Sequence, residues 1–216
     1  MEEKNCNCTK CAVIEKICRL ENGKGPMWCP TKKKRDVLSE GLKEYDHPDV
    51  WEFARTASVQ EGSCYAHREA KPFVMIPTKS RVEELIEFSQ RMGYKRLGMA
   101  FCGGLTHKAS ILSEILEKHG FEVVAVSCKV GGISKERIGV RDDEKIRIGE
   151  FEPMCNPITQ AKILNKAGTD FNIMLGLCVG HDSLFLKYVD VLTTVFAVKD
   201  RVTGHNPMAT LYTSRS

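Results

Sequence analysis

From residue 73 onward the chain alternates short apolar runs with stretches of helical period. Phe73-Val74-Met75-Ile76 is the first run. Ser80 then opens a helix: Glu83 completes a capping box, Val82, Leu85, Ile86 and Met92 form an apolar stripe, and Gly93 ends it. Residues 97–102 read as a buried strand. Thr106 caps a helix carrying Ala109, Leu112, Ile115 and Leu116, closed by Gly120, and residues 123–128 form the next strand. Asn156-Pro157 starts another helix with Ile158, Ala161 and Leu164 on one side. Residues 171–178 are a strand, His181-Asp182 begins a short helix, and residues 191–198 are the last strand. Strands apolar on both faces, separated by amphipathic helices, predict an α/β fold: a parallel, Rossmann-like or flavodoxin-like sheet covered by helices. Right-handed crossovers restrict the topology, but the pattern leaves strand order open.

Upstream the pattern is different. Asp46 and Pro48 start a helix that runs to about residue 67, with Val50, Phe53, Ala54, Ala57 and Cys64 on one face. Residues 1–35 show no sustained apolar period. The expected organisation is a small cysteine-rich metal-binding segment over residues 1–45, followed by an α/β domain over residues 46–216. Residues 129–154 carry no clear element. They hold Gly131-Gly132 and a dense charged stretch, and a loop that long inside a domain is expected to be a lid or to conceal a short element.

Length and composition agree with this reading. The chain has 216 residues, 42% of them hydrophobic, enough for one real core plus an appendage. Its net charge is +4, and part of the excess lies in Lys32-Lys33-Lys34-Arg35. Such a run is ordinarily a solvated face or linker, so nucleic-acid binding is the less favoured reading. No stretch approaches the roughly 18 apolar residues that would span a bilayer. The polar N-terminus MEEKNCNCTKC lacks a secretory apolar region. The expectation is a cytoplasmic protein without a membrane partner, in a compartment that keeps thiols reduced.

Ten cysteines are many for such a compartment, and metal ligation or redox chemistry explains them better than disulfides. Five lie early: Cys6, Cys8, Cys11, Cys18 and Cys29. The Cys8-x-x-Cys11 spacing lets two thiolates grip one ion, with Cys18 and Cys29 as further ligands and Cys6 a spare. Four thiolates suit zinc or an iron–sulfur cluster equally by count. Cys64 and His67, three apart on the expected helix, are a weaker metal candidate, and a core cysteine beside a surface histidine explains them at least as well.

Three further cysteines close predicted strands: Cys102, Cys128 and Cys178. In a parallel sheet all C-terminal strand ends share one edge, the edge at which ligands bind. Cys155 lies just before a helix start, which favours negative charge and faces the same edge. These four are expected to share a metal or cluster site, although any one alone reads as packing. Lys129, Lys199 and Arg201, all just past strand ends, are candidates for holding a small anionic substrate. His181, His107 and Asp182 are candidates for moving protons.

The sequence contains no phosphate-binding G-x-x-x-x-G-K-[ST] loop, no H-E-x-x-H, no G-x-S-x-G elbow and no G-x-G-x-x-G fingerprint. What it does contain is Ala100-Phe101-Cys102-Gly103-Gly104-Leu105, Met154-Cys155-Asn156-Pro157-Ile158, Leu177-Cys178-Val179-Gly180-His181-Asp182-Ser183, Val198-Lys199-Asp200-Arg201 and Gly204-His205-Asn206-Pro207. With the N-terminal cysteines, these resemble the domain of unknown function 1847 family, uncharacterised cysteine-rich proteins. The resemblance covers nearly the whole chain and implies metal binding; it brings no settled reaction. Two readings follow. One is an iron–sulfur redox or sulfur-chemistry enzyme with a cluster at the sheet edge. The other is a zinc-binding structural, sensor or metal-carrier protein without catalysis. Thiol chemistry without metal is a third. The oligomeric state is left open.

Overall fold

A computed structural model gives the structure of the protein and describes residues 6–213. It contains two compact units, one up to Ser63 and one from Cys64.

The first unit begins with a 3-10 turn at Cys8–Lys10, where the Asn7 side chain accepts the Thr9 N–H at 3.2 Å. A parallel bridge joins Lys16 to Lys24. Gly23 is required beside it, because a Cβ there would stand 2.4 Å from the Lys16 carbonyl carbon. Three helices follow: α1 (Pro30–Lys33), α2 (Arg35–Glu44) and α3 (Pro48–Ser63). The first two were not legible as apolar periodicity, and α2 buries none of its residues.

The helix begun by Pro48 stops at Ser63, short of the expected residue 67. The Cys64 carbonyl instead accepts the backbone N–H and hydroxyl of Thr78, at 2.8 and 3.1 Å. That bond anchors a two-residue hairpin, in which β1 (Tyr65–Ala66) pairs antiparallel with β2 (Ile76–Pro77). His67 takes a left-handed conformation with φ 52°. Cys64 and His67 therefore share no helix face, which corrects the geometry expected of them. The run Phe73-Val74-Met75-Ile76 is also corrected. All four residues are exposed, and only Ile76 enters a strand, outside the parallel sheet.

The remaining elements alternate as the pattern requires: α4 (Arg81–Arg91), β3 (Arg96–Phe101), α5 (Thr106–Lys118), β4 (Glu122–Ser127), α6 (Pro157–Ala167), β5 (Phe171–Leu175), α7 (His181–Tyr188), β6 (Thr193–Ala197) and α8 (Thr210–Thr213). The capping box at Ser80 and Glu83 forms as read. The four strands β3 to β6 form one parallel sheet in the order β4-β3-β5-β6. Phe101 is level with both Ser127 and Leu175, and Leu175 with Ala197, so all four strands end side by side. The chain leaves β3 toward β4 on one side, and β5 lies on the other. Their C-terminal ends thus flank the switch point of the sheet, where a crevice opens.

The core lies against both faces of this sheet. Leu97, Met99, Ala100 and Ile173 are fully buried, as are Leu116, Leu164 and Phe185 of the covering helices. Gly98 serves a specific close approach: a Cβ there would stand 1.9 Å from the Asn172 side-chain oxygen. That oxygen accepts the Thr169 hydroxyl at 2.9 Å, so a polar side chain crosses the sheet in the space the glycine leaves.

Residues 129–154 are a folded loop. An antiparallel bridge joins Ser134 to Pro153, and short 3-10 turns form at Lys135–Ile138 and Asp142–Glu144. Glu152 is buried and organises the loop, pairing with Lys135 at 2.6 Å and accepting the N–H groups of Ile146 and Arg147 at 2.9 and 3.1 Å. Lys145 packs its ammonium among Glu136, Asp142 and the Glu150 carbonyl. Among the described residues no helix is long and apolar enough to cross a membrane.

Candidate functional site

Cys102 and Cys128 each follow the last residue of a strand, β3 and β4, and the backbone ladder continues one step into both. The Cys128 N–H donates to Phe101 O at 2.8 Å and the Cys102 N–H to Leu175 O at 3.1 Å. Cys155 reaches the same edge from the N-terminal side of α6. Asn156 caps that helix by accepting the Thr159 N–H, and its own N–H donates to Cys128 O at 2.7 Å. The three cysteines are thus fixed by main-chain bonds that the sheet and helix set in place.

The Cys128 sulfur lies 3.9 Å from that of Cys155, and Cys128 also interacts with Cys102. Cys128 is 2% exposed and belongs to the core with Val126, Ala161 and Phe185, while Cys102 and Cys155 are half-buried and reach solvent. The Gly103 N–H donates to the Cys128 sulfur at 3.2 Å.

The bond from Cys128, with the Gly104 N–H and the Lys199 ammonium, lowers the Cys102 thiol to about 4. A bond from Cys128, then Lys129 and His181, lowers Cys155 to about 5. Cys128 is pushed up by its interactions with Cys102 and Cys155 and by its burial.

Cys178 lies three residues beyond β5. The Arg201 guanidinium donates to its sulfur at 3.3 Å, and the same cation interacts with Cys102 and Cys155. The loop after β6 aims the cations. Asp200 accepts the N–H groups of Val202 and Thr203 at 3.0 Å, the His205 N–H donates to Asp200 O at 2.8 Å, and the Lys199 N–H donates to Leu177 O at 3.1 Å.

All four edge cysteines and the cations Lys199 and Arg201 thus come to one edge. Lys129 comes too, but its ammonium donates to Pro153 O at 2.6 Å and ties down the folded loop. His181, at the start of α7, faces Cys155 and carries a buried Nδ1 without a hydrogen bond. Asp182 is occupied as a cap, accepting the N–H groups of Gly180 and Ser183 at 2.9 and 2.7 Å. His107 is exposed in the first turn of α5. Gln160 was not anticipated. Fully buried in α6, its amide donates to Phe101 O and Val126 O at 3.2 and 2.7 Å, clamping the two strand ends that carry Cys102 and Cys128. Its only sequence signal was a polar residue on an apolar helix face.

The early cysteines are placed differently. Cys6, Cys8 and Cys18 are exposed, Cys11 is half-buried and Cys29 is buried. Cys29 packs on Gly25, where a Cβ would stand 3.0 Å from its sulfur. Among the described residues, no group of three or more His, Cys, Asp or Glu side chains converges as it stands on one metal ion.

The chain belongs to the family described as Protein of unknown function (DUF1847), which it matches over residues 29–196. The uncharacterized protein MJ0455 of Methanocaldococcus jannaschii is 46% identical over 187 residues, covering 86% of this chain and 89% of that protein. The family match contains Cys29, Cys64 and all four edge cysteines; Cys6, Cys8, Cys11 and Cys18 lie before it.

Proposed function

We propose that this member of the family is a cytoplasmic metal-binding protein whose edge cysteines Cys102, Cys128, Cys155 and Cys178 hold an iron–sulfur cluster used in redox or sulfur chemistry. The observation that carries this reading is the meeting of four thiols from four separate loops at the switch point of a parallel sheet of order β4-β3-β5-β6. That order matches the first four strands of a flavodoxin-like sheet. The donors fit in kind: soft sulfurs, two of them held as thiolates, surrounded by Lys129, Lys199 and Arg201.

Bound there, a cluster would supply electron transfer or an open iron position for sulfur. The protein's own part is electrostatic. Cations offset the negative charge of a thiolate-bound centre, and the Gly103 and Gly104 N–H groups donate to its sulfurs. Lys199 and Arg201 would also hold a small anionic substrate, and His181 would move protons beside Cys155. In the first unit, Cys8, Cys11, Cys18 and Cys29, with Cys6 in reserve, would hold a second, structural metal that supplies folding energy. The resemblance in thiol count leaves zinc or a cluster open there.

A zinc protein without catalysis is the second reading. It is favoured by the 3.9 Å separation of Cys128 and Cys155, close to the ~3.8 Å between two thiolates on one tetrahedral zinc with ~2.3 Å bonds. Metal and acid-labile sulfide analysis on protein purified without oxygen, beside its visible spectrum, decides. Iron with matching sulfide and a broad visible band supports the cluster, and Cys178→Ala should then lower that iron with the fold intact. Colourless protein with zinc and no sulfide moves the assignment to the second reading. Absence of any metal overturns both.

A further inference from the structure

The Cys128–Cys155 pair has a use that requires no metal. Two thiols 3.9 Å apart need to close by only about 2 Å to reach disulfide bonding distance. The Asn156 N–H bond to Cys128 O holds their two chain segments side by side, so the closure needs side-chain rotation and little main-chain movement. The two partners are unequal. Cys155 reaches solvent, whereas Cys128 lies in the core and cannot meet an external molecule first. An accessible thiol with a buried thiol behind it makes up a dithiol reaction centre.

We propose that the sheet edge is a thiol–disulfide exchange site whose substrates are small disulfides, with Cys155 as the attacking sulfur and Cys128 as the resolving sulfur. In the first step the Cys155 thiolate attacks one sulfur of a disulfide R–S–S–R. A Cys155–S–S–R bond forms, the R–S–S–R bond breaks and one R–S⁻ leaves. In the second step Cys128 loses its proton to solvent and attacks the Cys155 sulfur. The Cys128–Cys155 disulfide forms and the second R–S⁻ departs. The protein dithiol loses two electrons and the small disulfide gains them, becoming two thiols once protonated by solvent. Arg201 and Lys199 flank the opening and suit a disulfide that carries carboxylates.

The inference stands apart from the metal reading, and one experiment separates them. The full chain, as isolated and after treatment with a chelator, is incubated with glutathione disulfide, with metal content measured on the same samples. The products are mapped by mass spectrometry of digested, alkylated protein. In metal-free wild type the expected product is a Cys128–Cys155 disulfide with two glutathiones released. Cys128→Ser is expected to stop with glutathione bound to Cys155. Because a polar atom enters the core in that variant, Cys128→Ala is run beside it. Glutathione retained on wild-type Cys155, first attachment at Cys102 or Cys178, or no reaction at any edge cysteine overturns the proposal. Metal-bearing protein that never closes the disulfide leaves the metal reading standing alone. Protein that carries no metal as isolated and closes the disulfide leaves the exchange site standing alone.

Discussion

The protein carries two sets of cysteines, and they are organised by opposite means. At the sheet edge each thiol is placed by something other than thiol chemistry. Strand ladders extend to Cys102 and Cys128, a helix start sets Cys155, and an arginine on the loop after β6 engages Cys178. In the first unit, Cys6, Cys8 and Cys18 are exposed on turns, and only Cys29 is enclosed. The lesson is about where the organising energy comes from. A packed sheet prearranges donors before any ligand arrives, whereas short cysteine-rich turns need a ligand to do it.

The largest expected effect breaks one half of this comparison. Gly98→Val places a Cβ where the Asn172 side-chain oxygen lies 1.9 Å away, in the centre of the sheet. It should destabilise the second unit by about 3 kcal/mol or more. Thermal unfolding followed at Cys102 and Cys128 checks this, and unchanged melting would show that the sheet does not hold the edge as described.

Chelation tests the other half. If the first unit holds the proposed metal, amide hydrogen exchange over residues 6–29 should quicken by more than about tenfold on chelation. The amides of Cys102 and Cys128 should keep their protection, because Leu175 O and Phe101 O bond them. Equal loosening of both regions would erase the distinction.

Gln160→Leu sharpens it. The Val126 carbonyl loses the amide that pairs with it at 2.7 Å, at a cost of about 1–2 kcal/mol. The strand ends should also separate enough to slow Cys128–Cys155 disulfide closure. A stability loss with unchanged closure would limit Gln160 to packing.

The smallest effect is a pH dependence confined to the folded loop. Glu152 is lowered to about 2 by Lys135 and by the Arg147 and Ile146 N–H groups. A depressed carboxylate contributes stability above its ordinary value of 4.5, and loses it as pH falls from there toward 2. Protection of the Ile146 and Arg147 amides, taken relative to their intrinsic exchange at each pH, should therefore fall across that acid range in the wild type. In Glu152→Gln it should be low at every pH, and a wild-type profile without a fall would remove the carboxylate from its assigned place.

Much of this molecule follows from local patterns alone. The apolar periods of α4 to α7 and β3 to β6, the Ser80–Glu83 capping box and the placement of Cys102 and Cys128 at strand ends follow from side chains within a few residues of one another. That is why they are legible in the chain. Convergence of the four cysteines on one edge followed too, since every parallel strand ends on the same side. Other features needed partners remote in sequence. Phe73-Val74-Met75 has β-forming residues and no strand to pair with, so it stays out of the sheet. Residues 129–154 are ordered by Lys135 meeting Glu152 and Lys145 meeting Asp142 rather than by any period. Only the pairing of β4 beside β3 and the bond from Asn156 to Cys128 O brought Cys102, Cys128 and Cys155 together, with Cys128 buried and the other two half-buried. Which strands lie side by side is a matter of long-range packing, and no local pattern encodes it.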